Sequence, residues 1–208
     1  MKSSYLFYIK ACLIIMAMSL TGCGVGKVTT QRDELVLRWN ELILLYQQRS
    51  DLISYMTELI ADNSDQSSGV LDVVSESNSK FILAQRMPQI MTDAAALMVF
   101  QQSQQKLAND LTNMMLILDN PIFKSDQELL DLKSDFGKLN EQIIKSRTAY
   151  IVAVHEHNKT LGTFPFSIFA FLSDYTELPI LSLDADSATI KLPAASRPSP
   201  FISKLIGN

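Results

Sequence analysis

The sequence has few of the residues that small disulfide-rich or metal-bound domains depend on. Its 208 residues include two cysteines and two histidines, too few for a four-ligand zinc site without carboxylates. Seven glycines and seven prolines are few for a turn-rich β-sandwich and exclude a collagen-like repeat. The net charge of −4 includes no block of basic residues, so no nucleic-acid partner is expected. A hydrophobic content of 47% is nevertheless enough for a helical core.

The sequence also lacks the motifs that commonly carry catalysis. It contains no Gly-x-Ser-x-Gly elbow, no Gly-x-Gly-x-x-Gly run and no P-loop. His155 and His157 are two positions apart, so on a helix they point in directions about 200° apart. Zinc-binding helices use histidines four positions apart, so we expect one histidine in the helix seam and the other in solvent. The sequence therefore predicts a protein that is not an enzyme and that binds neither a metal nor another cofactor.

The N-terminal residues have the organisation of an export signal. Lysines in residues 1–10 precede an apolar stretch at 11–20, which is shorter than the roughly 20 residues that span a bilayer. The sequence LTGC at 20–23 resembles the lipobox of bacterial lipoproteins, whose cysteine receives diacylglycerol before cleavage in front of it. We therefore expect residues 1–22 to be a lipoprotein signal peptide and Cys23 to carry covalent acyl lipid.

Acyl lipid on Cys23 would anchor the protein in a membrane of the bacterial cell envelope. Each buried methylene contributes about 0.8 kcal/mol, so more than one acyl chain gives stable anchoring. Gly24 follows Cys23, which by resemblance to envelope sorting rules favours the outer membrane where the cell has one. Cys12 is removed with the signal, so the mature chain forms no internal disulfide. The alternatives, in order of preference, are an ordinary secretory signal in which Cys23 is incidental and a retained transmembrane anchor.

The chain beyond the signal has the period of packed helices. After a polar tether at 23–30, residues 33–61 predict one long helix with an a/d stripe. That stripe consists of Leu35, Trp39, Leu42, Tyr46, Arg49, Ile53, Met56 and Ile60. Residues 62–79, rich in Ser, Asp and Asn, predict a loop that could enclose a helical turn at 70–74.

Two more long helices are predicted. The second runs from about Pro88 to 118, and the pattern leaves open whether residues 80–87 join it. Its stripe is Leu97, Phe100, Gln104, Leu107, Leu111, Met114 and Leu118. The third opens at Ser125 in a capping box with Glu128 and runs to about 158. Its stripe is Leu132, Phe136, Leu139, Ile143, Ser146, Tyr150, Ala153 and His157.

The C-terminal part predicts one short helix and an irregular tail. Pro165 suits the start of a helix, and core positions are the favoured use of Phe164, Phe166, Phe169 and Phe171. Prolines make residues 176–208 an irregular tail, with extended pieces such as 178–183 packing back or fraying. The predicted fold is all-α: an elongated antiparallel bundle of three long helices and a shorter fourth over 31–175.

Two arginines lie on or beside these apolar stripes. A buried unpaired charge costs several kcal/mol, so Arg49 must pair with a carboxylate or amide of another helix, or open onto an interface. Arg147, beside Ile143 and Tyr150, needs a polar partner or an interface for the same reason. Each arginine is therefore either a buried polar tie that sets helix register or part of a partner-binding groove.

Several of these residues resemble a known family. Trp39 and the run QRSDLI at 48–53 resemble the Trp and the Arg-x-Asp-Leu-Ile run of LemA-family proteins. Arg147 and Tyr150, followed by Asn158 and the Phe-Pro pair at 164–165, resemble the later signature of that family. The resemblance implies a membrane-associated envelope protein with a long antiparallel helical bundle and no established enzymatic activity.

The sequence departs from the family pattern near the arginines. Asn140 stands where an acidic residue usually precedes the arginine, which argues against a conventional salt bridge to Arg147. Ser54 stands in place of the usual proline. The candidate interface or buried tie thus comprises Arg49, Asn140, Arg147 and Tyr150.

The expected function follows from the anchor and the helices. We expect a non-catalytic scaffold or adaptor that holds a helical surface near the membrane for a protein partner. The alternative is a structural envelope protein that self-associates into a homo-oligomer through its heptad seams.

Overall fold

The structure is a computed structural model whose described residues are helical over most of their length. It describes the backbone of residues 2–63, 68–119, 121, 123, 125–173 and 175–182, and the side chains from residue 26 onward except 63 and 68. Within these ranges the helices are α1 (Lys2–Asn63), α2 (Ser68–Gln85), α3 (Ala94–Leu118), α4 (Gln127–Leu161) and α5 (Phe166–Leu172). The all-α class is confirmed, but the described chain forms four long helices and a short fifth instead of three and a fourth.

The first helix starts well upstream of its predicted beginning near residue 33. The backbone is helical from Lys2, so residues 24–30, predicted as a polar tether, are part of α1. Tertiary packing explains the difference, because Val28 is buried against Leu161 and Ala170. Packing of one apolar residue can outweigh the weak helix propensity of a Gly-containing segment.

The prediction of a loop over 62–79 is wrong for residues 68–79, which belong to α2. The buried residues of α2 include Leu71, Val74 and Phe81, which have helical spacing. The stripe was hidden because the polar Asn78 occupies the buried position between them. The Asn78 amide is satisfied there, donating to the carbonyl oxygen of Ser50 at 2.9 Å.

The two later long helices begin after the predicted residues. Pro88 lies in the connection after α2, and α3 starts beyond Asp93, whose carboxylate accepts from the amide of Ala95. Residues 80–85 therefore belong to α2 and not to α3. Asp126, one residue after the predicted Ser125, caps α4 by accepting from two backbone amides. Both caps are aspartates, whose carboxylates satisfy amides that have no partner within the helix.

Side-chain contacts show that neighbouring helices run antiparallel. Between α1 and α4, Gln31 donates to Thr160, whereas Tyr55 donates to Glu128, so residue numbers rise on one helix as they fall on the other. The Phe81 and Phe100 rings lie 5.4 Å apart between α2 and α3. Together with the packing of α1 against α2, these contacts form the predicted antiparallel bundle.

The predicted stripes of the first two long segments are buried in the bundle, whereas only half of the predicted α4 stripe is buried. Leu132, Leu139 and Ala153 pack only at the edge of the core. The stripe is confirmed at Phe136, Ile143, Tyr150 and His157, and the other buried residues of this row are Asn140, Arg147, Val154 and Leu161. The apolar period missed Asn140 and Arg147 because their side chains are polar.

At the end of α4 a smaller apolar cluster joins α5 to α1. It consists of Val28, Leu161 and Ala170, with Phe166 and Tyr175 packed against it. Phe164 and Phe171, by contrast, are 76% and 87% exposed, so the prediction that they are core residues is wrong for both. Core burial fails there because α5 is short and presents one face to the bundle.

The segment after α5 packs back on the bundle without forming a helix. In residues 175–182, Leu178 and Leu181 are buried in the main core. This matches the expected extended piece near 178, while the rest of the predicted tail, residues 183–208, lies outside the described residues.

Candidate functional site

Arg49 lies in the middle of the bundle and contacts all three other long helices. Its Nη2 donates to Oε1 of Gln104 on α3 at 2.8 Å, and its Nη1 donates to Oδ1 of Asn140 on α4 at 3.5 Å. The guanidinium carbon lies 5.1 Å from the ring centroid of Tyr46 and 5.6 Å from that of Phe81 on α2. We call Arg49, Gln104 and Asn140 the central polar layer.

The central polar layer is closed to solvent. Arg49 is 3% exposed, Asn140 is 6% exposed and Gln104 is fully buried. Amide oxygens and aromatic faces both attract a guanidinium, and they do so more strongly in a dry interior than in water. The geometry is therefore that of a buried tie between helices, and Arg49 does not open onto a surface groove.

Arg147 joins the bundle to the C-terminal segment. Its Nη1 donates to the Tyr46 hydroxyl at 3.4 Å, and its Nη2 donates to the carbonyl oxygen of Ser182. Tyr46 therefore contacts both arginines, Arg49 through its ring and Arg147 through its hydroxyl. Sequence reasoning placed Tyr46 only in an apolar stripe, although its hydroxyl was the available sign of a polar role.

Asn158 is a second anchor of the C-terminal segment. Its side-chain amide donates to the carbonyl oxygen of Leu178 at 2.8 Å, and its side-chain oxygen accepts from the amide of Leu178 at 2.9 Å. Sequence reasoning gave Asn158 no role, although it stands in the signature with Arg147. Both residues lie on α4 and hold main-chain atoms of residues 178–182.

Asn140 and Tyr150 have different surroundings. Asn140 accepts from Arg49 in the central polar layer. The Tyr150 ring packs 5.1 Å from that of Trp39, and its hydroxyl has no hydrogen-bond partner among the described residues. Burial raises the pKa of Tyr150 well above its ordinary value, because the phenolate cannot be solvated there. The four candidate residues are therefore spread along one core and do not converge on one open site.

The two histidines separate as their spacing predicts. His155 is exposed, whereas His157 is fully buried and neither ring nitrogen has a hydrogen-bond partner among the described residues. Burial, together with the positive charge of Arg32, holds the pKa of His157 below its ordinary value. Across the part of the chain that the structure describes, no cluster of His, Cys, Asp or Glu is arranged to hold a metal ion.

A serine, a lysine and an aspartate meet between α2 and α3. The Ser77 hydroxyl donates to Oδ2 of Asp110, and Lys106 Nζ lies 3.0 Å from the Ser77 oxygen and 2.8 Å from Asp110 Oδ2. Lys106 Nζ donates to both oxygen atoms, so the three side chains form one hydrogen-bonded group. This arrangement ties α2 to α3.

Two shallow grooves flank α3 on the outside of the bundle. One groove, of about 470 Å³, lies between α2 and α3 and is lined by Leu83, Met87 and Val99, with Lys80 and Lys106 at its edge. The other, of about 400 Å³, includes Met98 on α3 and Ser182 of the C-terminal segment. Leu83, Met98 and Val99 are all exposed. We call the surface around both grooves the α2–α3 face.

The predicted lipidation site lies in the first part of α1. Cys23 falls among residues 2–25, whose backbone is helical and whose side chains lie outside the described part. Among the residues that are described, no helix combines the length and the apolar character needed to cross a membrane.

Comparison with known proteins agrees with the signature residues. A family model with the description LemA family matches residues 38–193, more than half of the 208 residues. The match includes the central polar layer and both anchors of the C-terminal segment. A search of curated proteins gave no match. On the strength of the family match, the chain belongs to the LemA family, a group of membrane-associated bacterial proteins.

Proposed function

We propose that the protein is a lipid-anchored scaffold or adaptor of the bacterial cell envelope, acylated on Cys23 after removal of residues 1–22. Membership of the LemA family supports the membrane association, and the LTGC sequence supports lipid as the means of attachment. Lipid on Cys23 would confine the bundle to two dimensions and raise its effective concentration near other membrane proteins. Gly24 favours the outer membrane where one is present.

The observation that carries the adaptor proposal is the α2–α3 face. Leu83, Met98 and Val99 are exposed around grooves whose edge includes Lys80 and Lys106. Exposed apolar side chains rimmed by charge are typical of protein-binding surfaces. An amphipathic helix with acidic residues beside its apolar stripe is the partner that suits such a groove.

A non-catalytic role agrees with how the interior polar groups are arranged. Arg49 contacts Gln104 and Asn140, and Arg147 contacts Tyr46 and the C-terminal segment, so these groups connect elements of the fold. Their burial also keeps them from reaching a bound substrate. We therefore propose that the interior maintains the fold and that the outer surface carries the function.

The alternative is a structural envelope protein that self-associates. The heptad seams proposed for that contact are the stripes that the chain already buries within its own core. Self-association would therefore need other residues, such as those of the α2–α3 face. A mass measurement in detergent over a range of concentrations separates the two, because an adaptor remains monomeric in the absence of its partner.

The test is crosslinking in cells, with captured proteins identified by mass spectrometry. We expect one dominant partner, lost in Cys23→Ala and lost when Leu83→Ser is combined with Val99→Ser. Leu37→Ser is the matched control, because Leu37 is 59% exposed on α1 and lies away from the grooves. Capture that survives the paired change would exclude the α2–α3 face, and crosslinks only between copies would favour the structural alternative.

A further inference from the structure

The exposed apolar side chains of the α5 end form one surface. Phe164 is 76% exposed, Ile168 50%, Phe171 87% and Leu172 72%. On the opposite side of the same short segment, Ala170 is buried and Phe166 packs against Val28 and Leu161. The segment therefore has one face that holds it to the bundle and one apolar face that no described residue covers. We call Phe164, Ile168, Phe171 and Leu172 the α5 surface.

The location of the α5 surface indicates what it contacts. α5 packs on α1 next to Val28, five residues after Cys23 along a continuous helix. A helix rises 1.5 Å per residue, so about 8 Å along the axis separates the two positions. Interfacial apolar faces are buried to about 5–10 Å, so an apolar surface this near an acylated residue is within reach of the same interface. A lipid on Cys23 would therefore hold the α5 surface close to the bilayer.

The charges beside the α5 surface suit the same environment. Lys27 Nζ lies 5.1 Å from the Phe166 ring centroid, and the Arg32 guanidinium lies 5.3 Å from that of Tyr175. Both rings are half-buried and pack against the bundle, whereas Lys27 is exposed at this end of α1, where its ammonium group suits anionic lipid headgroups.

From these observations we infer that the α5 surface inserts into the bilayer interface and acts as a second membrane contact beside the lipid on Cys23. The inference rests on the proposed lipid anchoring. A single lipid attachment permits the bundle to tilt and rotate freely, whereas a second contact beside the first limits its tilt. The consequence for function is a bundle that stands on the membrane by its α5 end and keeps the α2–α3 face clear of the bilayer.

The test measures insertion at α5 in the mature protein, acylated on Cys23. The protein is reconstituted into vesicles of phosphatidylglycerol and phosphatidylcholine brominated in the acyl chain, because bromine quenches tryptophan only at short range. Phe171→Trp reports on the α5 surface, and Leu116→Trp, at a site on α3 that is 65% exposed, is the matched control. Trp39, the one native tryptophan, is buried, so its signal is measured in the unmodified protein and subtracted.

We expect quenching at position 171 to exceed that at position 116 by at least about twofold, as interfacial insertion requires. Co-flotation of the protein with the vesicles is scored separately as the readout of anchoring. Anchored protein with equal quenching at both positions would overturn the inference and leave the lipid anchor standing. Protein that fails to float with the vesicles would overturn both the anchoring and the inference.

Discussion

The centre of the bundle and its α5 end use phenylalanine in opposite ways. Phe100 is fully buried, and its ring lies within 5.8 Å of the rings of Trp39, Tyr46 and Phe81. Phe171 has the same side chain but is 87% exposed. The central ring stabilises the fold, whereas the terminal ring adds little to it and is available for another contact. The comparison shows that residue type alone does not separate folding from function in this chain.

Replacing Phe100 or Phe171 by alanine should give the largest difference in unfolding free energy between the two regions. Phe100→Ala should lower the free energy of unfolding by about 3–5 kcal/mol, because it removes a large side chain and leaves a cavity. Phe171→Ala should change it by less than about 0.5 kcal/mol, as is usual at exposed sites. Denaturant unfolding measures both. A comparable loss in the two variants would mean that Phe171 is buried in the folded protein.

The central polar layer can be broken by removing the partners of Arg49. Gln104→Leu combined with Asn140→Leu should lower the free energy of unfolding by about 3–5 kcal/mol, because a charge remains in an apolar interior. Adding Arg49→Leu should restore most of that stability, since an apolar replacement of a buried polar group is often tolerated. Urea unfolding of the three proteins measures the effect. A triple variant no more stable than the double would show that the buried charge is not the cause.

The anchoring of the C-terminal segment should have a local effect. Asn158→Ala removes both hydrogen bonds to Leu178 and should cost roughly 1–3 kcal/mol of local stability. Hydrogen exchange of the Leu178 amide should accelerate, while exchange in the middle of α1 and α4 stays slow. Asn109→Ala, at an exposed position on α3, is the control. Unchanged exchange at Leu178 would show that Asn158 does not hold the segment.

The smallest expected effect concerns pH and the buried His157. Its pKa is below the ordinary value in the folded protein and near 6.5 in the unfolded chain, so the unfolded state binds more protons at mildly acidic pH. Stability should therefore be highest at neutral pH and fall as the pH drops below about 6.5. Urea midpoints at several pH values measure this.

Matched variants assign the pH dependence to one histidine. His157→Leu should reduce the slope of stability against pH between about 5 and 7, because it removes the buried proton acceptor. His155→Gln replaces an exposed side chain and should retain most of the slope. An unchanged slope in His157→Leu would assign the effect to other groups.

The fold was predictable where apolar residues occupied the seam. In α1 and α3 the stripes through Leu42 and Leu107 were correct, because their apolar period is nearly unbroken. In α2 and α4 the period failed at Asn78, Asn140 and Arg147, which are buried only because another helix or the C-terminal segment supplies hydrogen bonds. Sequence period cannot detect such positions, since their partners are distant along the chain.

The candidate site was also predictable from the sequence only in part. The sequence identified Arg49 as a residue that needs a partner, because a charge in an apolar stripe is visible without a structure. It could not identify Gln104 as that partner, nor the part played by Asn158. Both depend on how helices far apart in sequence are placed against one another.

The sequence by itself determined the all-α class, the family signature and the need to satisfy two buried arginines, because these follow from local period and residue chemistry. Tertiary structure alone decided that Arg49 is enclosed by amides and aromatic rings, that residues 175–182 return to α4, and that Phe171 faces outward. The physical reason is that burial and hydrogen bonding depend on which surfaces meet, and distant segments supply those surfaces.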